Sequence, residues 1–74
     1  MDPQVTWNEM LDAIAESDFE HAGTQAQCLL NWLDRKGFAP NATTRTLPLQ
    51  WNVMLCRHVC QIVLLFEEAA LEPL

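Results

Sequence analysis

The sequence predicts an all-α fold of three helices, a hairpin of two short ones packed on a long apolar C-terminal helix. Three observations predict it. No stretch alternates apolar and polar residues as a half-buried strand does. Helix-start and helix-stop residues recur at Thr6, Ser17, Gly37 and Pro48. From Pro48 onward, apolar residues take up more than half of a helical projection.

The first helix is expected over about residues 7–16. Thr6-Trp7-Asn8-Glu9 reads as a capping box, in which the Thr6 hydroxyl and the Glu9 carboxylate satisfy free backbone N–H groups. Trp7, Met10, Leu11 and Ile14 then fall on one face at helical spacing, with Glu9, Asp12 and Glu16 opposite. Ser17-Asp18-Phe19-Glu20 is a second start signal, with Ser17 or Asp18 as the cap. It marks either a tight turn or one uninterrupted long helix; the turn is the favoured reading, with a second helix over about residues 18–36 whose apolar stripe is Phe19, Ala22, Ala26, Leu29, Leu30 and Leu33. Arg35 and Lys36 suit a helix C-terminus. Gly37 suits the left-handed position just past it, and Phe38 would then touch Leu33 in a Schellman motif. A loop over residues 38–47 follows. Pro48 opens the third helix, expected over about residues 48–71. The whole, residues 1–74, is read as one small domain.

Charge and size exclude function classes. Ten acidic residues oppose four basic ones, for a net charge of −6. Nucleic-acid binding rests on neutralising phosphates with Lys and Arg, so it is not expected. The same sign argues against anionic membrane surfaces. The stretch from Trp51 to Phe66 is short for a membrane span and is interrupted by Arg57, His58 and Gln61. No basic-then-apolar signal segment is visible at the start. With three cysteines, an odd number, the expectation is reduced thiols in a cytoplasm.

Candidate sites are few. Cys56, His58 and Cys60 look like metal ligands in the string. On a helix, residues four apart share a face and residues two apart do not, so His58 is turned away from the two thiols. A structural zinc needs four ligands, usually in two spaced pairs. Cys28 and His21 are the only further candidates from the second helix. A binder of a metal ion or small apolar ligand using Cys28, Cys56, Cys60 and His21 is therefore the alternative reading. The leading one treats Cys56 and Cys60 as small buried apolar residues. Nucleophilic catalysis needs a thiol beside an oriented base, and no such set, phosphate loop or catalytic motif is present. An enzyme is not expected, and no cofactor is implied.

The third helix carries one narrow polar stripe, Gln50, Arg57, Gln61 and Glu68. The rest is apolar over an arc wider than a surface helix needs. Small single cores are marginal on their own. Both points predict a protein–protein interaction module that self-associates, most simply as a homodimer. Its expected interface is Trp51, Leu55, Val59, Ile62, Val63 and Phe66, with Trp32 from the second helix. Glu67, Glu68 and Glu72 should gather with Glu16, Asp18 and Glu20 at one pole, and Arg35, Lys36 and Arg45 at the other. An antiparallel two-fold pair would match these poles.

The hairpin Trp7…Leu11…Ile14…Asp18-Phe19…Ala22…Ala26 resembles one tetratricopeptide helix pair. The resemblance covers less than half the chain. Leu11, or Met10 beside it, stands where the family has a small residue, and no second repeat follows. It implies helical-hairpin geometry and carries over no function or binding residue.

Overall fold

The computed structural model describes residues 1–71. It holds three helices: α1 (Pro3–Ala15), α2 (Phe19–Asp34) and α3 (Leu49–Leu71). No strand occurs among the described residues. The predicted fold class is therefore the observed one.

The first helix starts a turn earlier than the Thr6 capping box predicts. Asp2 is the N-cap, and its Oδ1 accepts from the N–H groups of Gln4 at 3.0 Å and Val5 at 3.3 Å. Pro3 takes the first helical position, where its missing N–H costs nothing. Thr6 lies inside the helix, and its hydroxyl donates back to the Asp2 carbonyl at 3.0 Å. The buried face is accordingly Pro3, Thr6, Trp7, Met10 and Ala13, while Leu11 and Ile14 sit on its exposed rim.

A tight turn links α1 to α2, as expected, and of the two candidate caps Asp18 is the one used. Ser17 adopts φ 58°, the left-handed position, rather than capping α2. The Asp18 N–H donates to the Ala13 carbonyl and the Ser17 N–H to the Ile14 carbonyl, which is a Schellman motif. Asp18 then caps α2 through the His21 N–H at 3.2 Å. One residue thus ends one helix and starts the next.

The end of α2 is shifted by one residue from the sequence reading. Lys36, at φ 64°, takes the left-handed position assigned to Gly37. The Gly37 N–H donates to the Trp32 carbonyl and the Lys36 N–H to the Leu33 carbonyl. Glycine is required at position 37 for a steric reason instead: a Cβ there would run into the Trp32 indole. Phe38 sets its ring edge-on against Trp32, centroids 5.8 Å apart, and is itself largely exposed. The Trp32 Nε1–H donates to the Phe38 carbonyl at 2.8 Å.

The hairpin packs on α3 through α2. α1 contacts α2 and α2 contacts α3, but no Cα pair of α1 and α3 comes within 8 Å among the described residues. Buried Ala22, Gly23 and Ala26 let the neighbours approach α2 closely. The core joins Trp7, Met10 and Ala13 of α1, Leu29 and Leu33 of α2, and Cys56, Cys60 and Val63 of α3.

The gap between α1 and α3 is closed at one end by the loop after α2. Asn52, a buried polar residue on α3, donates from Nδ2 to the Pro40 carbonyl at 2.7 Å. Its Oδ1 accepts from the Ala42 N–H at 2.9 Å. On the other side the Asn41 N–H donates to Gln4 Oε1 at 2.8 Å. The loop is therefore pinned to α3 and to α1 together.

Candidate interaction surface

The buried face of α3 is Asn52, Cys56, Cys60 and Val63, one residue per turn. At roughly 100° per residue these four share one side of the helix. On the opposite side Trp51, Met54, Leu55, Ile62, Leu65 and Phe66 are exposed, from 39% at Leu55 to 72% at Trp51. His58 is the one polar residue among them, and its Nδ1–H donates to the Met54 carbonyl at 3.1 Å, one turn back. The result is an apolar stripe along the length of α3, rimmed by the exposed Gln50, Gln61 and Glu68.

Two hollows lie on this stripe. Near the C-terminal end of α3, Ile14, Phe19, Val59, Ile62, Val63 and Phe66 line an apolar groove of about 200 Å³. It is the open end of the α1–α3 gap, and the stacked rings of Phe19 and Phe66, 6.5 Å apart, form one wall. Near the N-terminal end, Leu47, Trp51, Met54, Leu55 and His58 line a second groove of about 300 Å³.

The expected interface set divides on this geometry. Trp51, Leu55, Ile62 and Phe66 are exposed on the stripe, and Val59 is half-buried at its edge. Val63 is only 5% exposed, because it faces α2 as part of the core. Trp32 belongs to α2 and is engaged with Gly37 and Phe38. Met54 and Leu65 are stripe residues the sequence reading left out. Leu65 extends the helical spacing of Trp51, Leu55 and Ile62, whereas Met54 lies off that line, and only the packing of α3 marks this side as the outer one.

The metal-site residues do not converge. Cys28 and His21 are exposed on α2, whereas Cys56 and Cys60 are buried on α3. No three of His, Cys, Asp and Glu come together to hold a metal ion among the described residues. Burial pushes the Cys56 thiol up to about 11. Burial and the neighbouring Cys56 push Cys60 up to about 12. Both are neutral thiols at pH 7, packed as small apolar side chains, and Cys56 Sγ–H reaches the Pro40 carbonyl at 3.4 Å.

The charged ends follow the antiparallel run of α2 and α3. Glu67 lies over Gly23, and Phe66 stacks on Phe19, so Glu67 and Glu68 share an end with Asp18 and Glu20. Glu72 lies outside the described residues. Arg57 is drawn to Asp34 at 2.9 Å, near the other end of α2, where Arg35 and Lys36 are exposed.

The apolar stretch of α3 is not too short for a membrane span. α3 extends beyond the Trp51–Phe66 run, and its Leu49–Ala69 segment is long and apolar enough by length and composition to cross a membrane. A mostly buried core helix would pass the same test, but α3 is mostly exposed, so burial does not account for its apolar length. Here Asn52, Cys56 and Arg57 tie that segment to the loop and to α2.

Comparison with known protein families, curated proteins and solved structures finds no match for this chain.

Proposed function

We propose that this protein is a small, non-catalytic helical interaction module that self-associates through the outer face of α3. The exposed apolar stripe carries the reading. Burying apolar surface gains about 25 cal/mol per Å². A stripe of large side chains left in water is therefore a contact waiting for a partner. Two features favour protein over other partners. The net charge of −6 opposes nucleic acid and anionic lipid. The polar rim of Gln50, Gln61 and Glu68 resembles the border of a protein–protein contact. Neutral buried thiols at Cys56 and Cys60 support a structural rather than a catalytic use of the cysteines. All three cysteines are free, which fits a reducing compartment such as the cytoplasm.

Sedimentation velocity at micromolar concentration tests the proposal. A species of twice the chain mass or more is expected. A monomer that melts cooperatively would sink it. Flotation with neutral vesicles, run in parallel, would reveal a lipid surface as the occupant instead.

A second reading is favoured by one observation, the 200 Å³ groove at Phe19 and Phe66. Its wholly apolar lining fits a small apolar ligand rather than a metal. Native mass spectrometry would show such a ligand as a discrete added mass, and its absence after mild purification would count against this reading.

A further inference from the structure

We propose that a second copy docks its α3 antiparallel on this one, in a single register with the two-fold axis beside residue 60. The inference rests on the self-association proposed above and adds its geometry. Trp51, Leu55, His58, Ile62, Leu65 and Ala69 recur at alternating spacings of four and three, and all are exposed. That alternation is the seam period of two helices coiled on each other.

One antiparallel register engages the whole seam. It sets Trp51 against Ala69, Leu55 against Leu65, and His58 against Ile62, each twice by symmetry. The bulkiest side chain meets the smallest, as interdigitating layers require. A parallel pair would set Trp51 on Trp51, His58 on His58, and the glutamates of one α3 end beside their own copies. Like charges so placed are unfavourable. The antiparallel pair instead brings the Glu68 end of one α3 to the partner's N-terminal end, where Arg45 is exposed in the preceding loop. It also opposes the two helix dipoles. Across the axis, Val59 meets its own copy on one flank and Gln61 meets its own copy on the polar flank.

The area is sufficient. The seam runs from Trp51 to Ala69, a rise of about 27 Å at 1.5 Å per residue. Trp51 and Phe66, at ~200 Å² each, are 72% and 60% exposed. With Met54, Leu55, Ile62 and Leu65 the stripe reaches roughly 700 Å² if wholly buried, inside the ~600–1,000 Å² per partner of a specific interface.

Cysteine cross-linking tests the register. In a Cys28→Ser background, which leaves only the buried thiols, single cysteines are placed by Gln61→Cys or Glu68→Cys on the exposed flank. On mild oxidation the Gln61→Cys protein should form a covalent dimer at least ten times faster than the Glu68→Cys protein. The two 61 positions meet at the axis, whereas the two 68 positions lie about 24 Å apart. Equal rates, a faster Glu68→Cys reaction, or no covalent dimer from either would overturn the register. Sedimentation of the reduced variants separates the two levels of failure. If they are monomers, self-association itself fails. If they are dimers with the wrong cross-linking order, only the antiparallel register does.

Discussion

Asn52→Leu removes the loop's anchor on α3 while keeping the branching of the side chain. Asn52 is 8% exposed and makes two hydrogen bonds to loop backbone, at 2.7 Å to the Pro40 carbonyl and 2.9 Å from the Ala42 N–H. Leucine makes neither. The Pro40 carbonyl keeps the Cys56 thiol as a weak donor at 3.4 Å. The Ala42 N–H is left in a partly buried position without its acceptor. An orphaned buried donor costs about 1–3 kcal/mol, and a lost ordinary hydrogen bond about 1 kcal/mol. Extra apolar burial by the leucine returns part of this, so the net loss is about 2–3 kcal/mol. At about 4–8 °C per kcal/mol for a domain of this size, the Tm should fall by about 10–20 °C. Thermal and urea melts followed by circular dichroism, at matched protein concentration, measure it. A change under about 0.5 kcal/mol would refute the claim that this side chain holds the loop. Gln4→Ala is the control, since its bonds to Asn41 are at the surface and should be worth under about 1 kcal/mol.

The two glycines should respond with opposite signs. At Gly23 an added Cβ meets only the tip of the Glu67 side chain, which can swing aside, so Gly23→Ala should gain up to about 1 kcal/mol from helix propensity. At Gly37 it meets the rigid Trp32 ring, so Gly37→Ala should cost about 1–3 kcal/mol and lower Trp32 order in tryptophan fluorescence. The thiols should separate by burial: Cys28 reacts at once with an aromatic disulfide reagent, while Cys56 and Cys60 wait for unfolding. Because folding raises the Cys56 and Cys60 pKa values from 9.0 to about 11 and about 12, their contribution is complete below pH 9 and is lost as pH rises through 11 and 12. Alanine at both positions should flatten that alkaline limb of a stability–pH profile. On α3, Ile62→Glu should abolish the dimer and leave a folded monomer, while Val63→Glu should unfold the chain by burying a charge. Identical behaviour of the two would mean that the stripe and the core are misassigned.

Much of the fold was legible. Three helices, the tight α1–α2 turn and the break at residues 37–40 follow from caps, spacing and proline. The errors are local and share a cause. Several residues could fill each terminal role, and the choice depended on contacts a string does not display. Asp2-Pro3 outcompeted Thr6 because an acidic cap followed by proline starts a helix without wasting an N–H. Lys36 displaced Gly37 from the left-handed position. What held glycine at 37 was the approach of Trp32, which arises only when the chain leaving α2 turns back over that ring. The candidate surface was half legible. The over-wide apolar arc of α3 was visible, but its division into core and stripe was not.

The sequence by itself determined that α3 is apolar on more than one side, because composition and the helical period are local properties. It also determined that Cys56 and Cys60 share a face which His58 does not. Only the tertiary structure decided which side faces inward. α2 is the one helix in close contact with α3 among the described residues, the loop covers the Asn52 end, and α1 stands off across the gap. The buried strip is therefore no wider than the line through Asn52, Cys56, Cys60 and Val63. One helix can cover only the residues within side-chain reach of its axis. The side of α3 from Trp51 round to Leu65 is left outside that reach, and so the same apolar chemistry became core on one side of α3 and contact surface on the other.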